Sequence, residues 1–185
     1  MKSKFVKSFV GLMAIGMMSI AATSAYATGV SHIDVYQKYV ISSKANTGMA
    51  LDIPYGNVNF PVGIFPKSLS KANQQFSRGK NGGNVYLYAH QTVGKRTSNG
   101  TIDQRVVTYR QENGTVILVN ENDPVLRLGY GEIDYRTIGP SMYRLYFPAF
   151  NAYLGVNYAG LGGRVTLQAY NETSDLQKWY IEYGI

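Results

Sequence analysis

The chain has 185 residues, 45% hydrophobic and 16% charged, with 20 glycines, 16 tyrosines, no cysteine and a formal net charge of +7. That length fits one domain or two small ones, and the apolar fraction excludes wholesale disorder. The lack of cysteine excludes a disulfide scaffold, a thiolate metal site and a cysteine nucleophile; His32 and His90 are far apart, and neither a Gly-x-Ser-x-Gly elbow nor a phosphate-binding loop occurs.

Residues 1–27 read as a secretory leader. Lys2, Lys4 and Lys7 open it, Phe9 to Ala22 is an uncharged apolar run of 14 residues, and Ala25-Tyr26-Ala27 gives a small-x-small exit. The run is shorter than the roughly 20 residues of a membrane span, so an uncleaved transmembrane anchor is not expected. Cleavage would leave a chain starting at Thr28, with a charge of about +4 and its basic residues scattered. Scattered charge does not call for a nucleic-acid partner. A secreted or periplasmic product is expected, with residues 28–34 as a short extension before the domain.

From there the chain reads as all-β. Short segments rich in Tyr, Val, Ile and Thr recur at Lys38–Ser42, Met49–Ile53, Val62–Phe65, Asn84–Ala89, Arg105–Arg110, Thr115–Val119, Val125–Leu128, Met142–Phe147, Ala152–Val156, Arg164–Ala169 and Lys178–Glu182. Between them stand turn residues such as Asn81-Gly82-Gly83, Asn113-Gly114 and Asn122-Asp123-Pro124. Strands this short and this many predict a sandwich or a closed barrel.

Two stretches share a plan. Gly48-Met49-Ala50-Leu51-Asp52-Ile53 leads through Ile64-Phe65-Pro66 to Gln74-Gln75-Phe76, and Ala152-Tyr153-Leu154-Gly155-Val156 leads through Thr166-Leu167-Gln168 to Gln177-Lys178-Trp179. The step from Leu51 to Phe76 and from Leu154 to Trp179 is 25 residues in both. The middle, from Val85 to about Ile138, has similar length, with Gln104-Arg105-Val106 as a worn counterpart of the Gln-x-aromatic step. Three units of about 50 residues then fill residues 35–185.

This arrangement resembles the ricin B-type lectin family, whose β-trefoil repeats each end in Gln-x-Trp. Gln177-Lys178-Trp179 matches that motif, Gln74-Gln75-Phe76 matches with Phe for Trp, and Asn46 to Ile53 looks like the family's Asn-x-Gly-x-x-Leu-Asp-Val strand pair. The resemblance implies a β-trefoil with Leu51, Ile53, Ile64, Phe76, Leu154, Val156, Leu167 and Trp179 turned to a common axis. It also implies a sugar site in the first repeat. Asp52, read as a surface carboxylate, would accept from two hydroxyls of a galactose-type sugar. Asn73 would bond one of them, Phe65 would stack on the ring, and Gln74 would hold Asp52 or its loop. In the last repeat Gly155 and Leu176 replace Asp and Asn, so that site is expected to be dead; Asn157, Tyr158 and Tyr170 offer material for a different pocket. Lys95-Arg96 and Arg105 read as a solvated loop or a small anion patch. The 15 tyrosines after Ala27 suit glycan or protein contacts, or ordinary strand composition.

Neither a catalytic constellation nor a cofactor motif is recognisable, so the expectation is a non-enzymatic, exported carbohydrate-binding protein. Its layout is similar to the trefoil binding subunits of cytolethal distending toxins, which implies a separately encoded partner chain. The alternative is a β-trefoil used as a protein-binding or inhibitor module that has lost its sugar site.

Overall fold

The computed structural model describes residues 32–33, 37–54, 58–81 and 83–185. The expected leader and its exit at Ala27 lie outside the described residues. Of the short extension, only His32–Ile33 are described.

Thirteen strands are described: β1 His32–Ile33, β2 Tyr39–Ser43, β3 Asn46–Asp52, β4 Gly63–Pro66, β5 Phe76–Asn81, β6 Asn84–Ala89, β7 Arg105–Arg110, β8 Thr115–Asn120, β9 Asp134–Gly139, β10 Met142–Phe147, β11 Ala152–Val156, β12 Val165–Gln168 and β13 Trp179–Tyr183. After β1, which pairs with β5, they form three units of four strands.

The first and last strands of each unit build a barrel. β5 pairs with β6, β9 with β10, and β13 with β2, joining one unit to the next. Within units the ring is completed by Tyr39 opposite Phe76, by Tyr143 opposite Trp179, and by the Ile133 amide donating to the Val85 carbonyl at 2.8 Å. The two inner strands of each unit form the hairpins β3–β4, β7–β8 and β11–β12. These lean on one another around the axis. The Val62 amide donates to Val116 O, the Ile64 amide to Gly163 O, and the Thr166 hydroxyl to Gly114 O. A barrel of six strands capped by three hairpins with threefold pseudosymmetry is a β-trefoil, as expected from the sequence.

The core repeats with the same symmetry. Ile41, Leu87 and Leu145 occupy one layer, Leu51, Val107 and Leu154 the next, then Ile64 and Leu118 with the half-buried Leu167, and Phe76, Ile133 and Trp179 plug the centre. Each fully buried aliphatic side chain contributes about 1.5–3 kcal/mol. Trp179 is fully buried, and its indole N–H donates to Leu154 O at 3.0 Å, so it belongs to the core and not to a ligand platform.

Three details depart from the sequence reading. Val125–Leu128 is not a strand but part of a 3-10 turn, Pro124–Leu128, started by proline and capped by the Asp123 carboxylate accepting from the Val125 amide at 2.9 Å. β5 and β9 escaped notice because polar and charged residues interrupt their apolar pattern, as in Ser77-Arg78 and Asp134-Tyr135-Arg136. Gln104-Arg105-Val106 is not the middle Gln-x-aromatic step, because it starts a cap strand instead of the fourth barrel strand. That role falls to Gly131-Glu132-Ile133, and Leu126 packs where a side chain at 131 would stand, 2.6 Å from a Cβ built there.

Candidate functional site

The first unit brings Asp52, Asn73, Gln74 and Phe65 onto the outer side of one hairpin. Leu51 and Ile64 face the core, so their neighbours in the alternating strand pattern, Asp52, Gly63 and Phe65, face outward. Asp52 ends β3 opposite Gly63, and Phe65 follows two residues along β4. The chain after β4 returns over this face in a 3-10 turn, Ala72–Gln74. The Ile53 amide donates to Asn73 O at 2.9 Å and pins that turn beside Asp52.

Asp52 is not the surface carboxylate expected from the sequence, since only 5% of it is exposed. The Asn73 amide nitrogen donates to both of its oxygens, at 2.8 and 2.7 Å, and the Gln74 amide donates to Oδ2 at 2.9 Å. Burial raises the Asp52 carboxyl above its ordinary range, and the bonds from Gln74 and Asn73 and the charge of Lys71 offset part of that rise. Gln74 is fully buried and saturated: its nitrogen also donates to Pro66 O at 3.0 Å, and its oxygen accepts from the Ser68 amide at 2.8 Å. It holds Asp52 and the loop together and has nothing left for a ligand. Asn73 is half-buried, and among the described residues nothing donates to its side-chain oxygen. Phe65 is half-buried, and its ring lies 3.4 Å from a Cβ built on Gly63. Glycine at 63 gives that ring its room. The result is a fixed acceptor, an open carbonyl and a half-buried aromatic ring on one face.

The third unit repeats the frame without the chemistry. Gln177 donates to Ala169 O at 2.6 Å and accepts from the Asn171 amide at 3.0 Å, as Gln74 does with Pro66 and Ser68. Where Asp52 stands, Gly155 is found. Gln168, at the Phe65 position, folds its amide into the vacant place, accepting from Gln177 at 3.2 Å and donating to Val156 O at 3.0 Å. Gln168 was legible only as one strand residue among others; its role appears when the hairpins are superposed. Asn157, Tyr158 and Tyr170 are each engaged locally. Asn157 accepts from the amides of Tyr158 and Arg164, Tyr158 donates to Leu161 O, and Tyr170 packs on Tyr153 with ring centroids 5.3 Å apart. In the middle unit the hairpin register puts Thr108 and Val119 at the places of Asp52 and Phe65.

Lys95 and Arg96 lie in a loop, with Arg96 donating to Gly100 O, and Arg105 opens β7 paired with Asp103 at 3.2 Å. The tyrosines of the last unit stack on themselves and on cations, with the Arg136 guanidinium 3.6 Å from the Tyr146 ring centroid and Arg144 5.0 Å from that of Tyr170. Ser77 and His90 are hydrogen-bonded at 2.7 Å, but Ser77 is fully buried and ties β5 to Gln37 O. Among the described residues no cluster of His, Asp and Glu is placed to hold a metal, and no helix is long and apolar enough to cross a membrane.

No protein-family model matches this sequence, and neither does any curated protein. Solved structures do resemble it. A mosquitocidal holotoxin superposes with a TM-score of 0.62 at 12% identity, over 80% of this chain and 17% of the toxin. The lectin SeviL, bound to an asialo-GM1 saccharide, gives 0.54 at 17% identity, over 79% of this chain and 96% of the lectin. ThreeFoil, a designed threefold-symmetric protein, gives 0.58 at 17% identity, over 78% and 96%. The chain thus spans about a sixth of the holotoxin and nearly all of the other two. At these identities the likeness shows the fold, and the chain is a β-trefoil.

Proposed function

We propose that this protein is an exported, non-enzymatic carbohydrate-binding β-trefoil of the ricin B type, with one sugar site in its first unit. The observation that carries the proposal is the Asp52 carboxylate, held at fixed geometry by Asn73 and Gln74 beside a half-buried Phe65. A sugar is read by a rigid acceptor for its hydroxyls and a flat aromatic face for its apolar side. In this reading Asp52 and Asn73 take the hydroxyls of a galactose-type sugar, Phe65 takes the ring face, and Gln74 is the positioning residue. The neighbouring fold of a saccharide-bound lectin supports the ligand class.

One shallow site gives affinity of about 1 mM for a free monosaccharide, or about −4 kcal/mol. Useful cell binding then needs several copies engaged together. That requirement, with the leader at residues 1–27, supports a further element of the proposal: a delivery role as the cell-binding subunit of a toxin, alongside a separately encoded chain. The test is a glycan array on the chain from Thr28, with Phe65→Ala and Asn73→Ala beside the unsubstituted protein. Galactose-terminated glycans are expected to bind, and both variants to lose that binding while melting as cooperatively as the parent. A blank array would sink the reading and leave a protein-binding module in its place.

A further inference from the structure

The barrel holds a second feature, at the end away from the three hairpins. A cavity of about 240 Å³ opens there, lined by side chains from all six barrel strands. Its floor is apolar: Ile41, Leu87 and Ile181. Its walls are tyrosine rings in two pairs. Tyr39 and Tyr183 lie with centroids 5.6 Å apart, and Tyr135 and Tyr143 meet edge to face at 6.4 Å. Arg78 joins the lining, its guanidinium carbon 5.7 Å from the Tyr135 ring centroid. No described lining residue is acidic.

One buried polar atom of the cavity lining is left unpaired. The Tyr135 hydroxyl is shielded from solvent and has no hydrogen-bond partner among the described residues. Buried hydroxyls are nearly always paired, and an orphan one calls for an explanation. Burial raises this phenol far above its ordinary range, so it remains a donor at any pH the protein meets. The cavity therefore offers an apolar floor, aromatic walls, one unused donor and one cation. Its size suits a single ring with one head group, below the roughly 300–1,000 Å³ of drug-sized pockets.

We propose that this cavity binds a small aromatic carboxylate, with the ring between the tyrosines and the carboxylate accepting from Tyr135 and Arg78. The site shares no residue with the first-unit face around Asp52, and the two proposals stand or fall separately.

The test uses the whole chain from Thr28 and benzoate as probe, with benzyl alcohol and acetate as controls, followed by tyrosine-ring NMR shifts. Benzoate is expected to shift the cavity tyrosines saturably, and acetate not to. Tyr135→Phe should weaken benzoate by about tenfold or more, the scale of a hydrogen bond to a charged group. Its melting temperature should not fall, because the variant removes only an unpaired hydroxyl. Arg78→Gln should weaken benzoate and leave benzyl alcohol unchanged. Absence of a saturable shift, or equal benzoate affinity in the parent and Tyr135→Phe, would overturn the proposal.

Discussion

Gly155 and Gln168 hold in the third unit the places that Asp52 and Phe65 hold in the first. A Cβ built on Gly155 would sit 2.5 Å from the Gln168 side-chain oxygen. The glutamine amide fills the space of the missing carboxylate and satisfies Gln177 in its stead. The absence of Asp and the presence of Gln are thus coupled, and an arrangement like that of Asp52 cannot be built in the third unit by one substitution.

Gly155→Asp alone should therefore destabilise the fold by about 1–3 kcal/mol, as overpacking does. Combined with Gln168→Phe and Leu176→Asn it should create a second sugar site. Calorimetric titration would then report two glycans per chain instead of one. A triple variant that folds but keeps a stoichiometry of one would show that the frame is insufficient.

Gln74 and Gln177 bind the same loop atoms in their units, so their loss should be felt equally in stability and unequally in binding. Each alanine variant should lose roughly 2–4 kcal/mol, since a buried amide is removed and its partners are left unpaired. Of those variants that remain folded, only Gln74→Ala should lose sugar affinity, because Asp52 is left held by Asn73 alone. Urea unfolding paired with a binding assay distinguishes the two effects.

Trp179→Phe removes the indole bond to Leu154 O and keeps an aromatic plug, as Phe76 does in the first unit. It should cost about 1–2 kcal/mol, against about 3–5 kcal/mol for Trp179→Ala. Thermal denaturation of the two variants checks the order. Equal losses would mean that the bond contributes nothing.

Sugar affinity should fall on acidification, with a midpoint above the ordinary aspartate range, because burial raises Asp52 and protonation removes its acceptor. The stability change has the opposite sense. A raised folded-state pKa means that this group's favourable share is complete below the unfolded value and is lost as pH rises through the folded one. Lys71→Gln should move the binding midpoint further up, since Lys71 helps keep Asp52 ionised. A midpoint unmoved by Lys71→Gln would remove that charge from the site.

Much of this molecule was legible in the sequence because local chemistry dictated it. The spans Asn84–Ala89, Arg105–Arg110, Met142–Phe147 and Ala152–Val156 agree with the strands residue for residue, since β-branched and aromatic residues there are bounded by turn formers. The paired 25-residue spacing marked the first and third units, because a threefold fold must return the same residue types to the same axis. The proximity of Asp52, Asn73, Gln74 and Phe65 was also implied by the motif. Tertiary structure alone decided the rest. The burial of Asp52 depends on a loop that returns from beyond β4, and the filling of the corresponding place in the third unit on a side chain thirteen residues from Gly155. The middle unit hid its period because Gly131 and Leu126 exchange volume across space, leaving no Gln-x-aromatic signature. The cavity around Tyr135 is lined by all six barrel strands, and no local pattern records a space that forms only when the barrel closes.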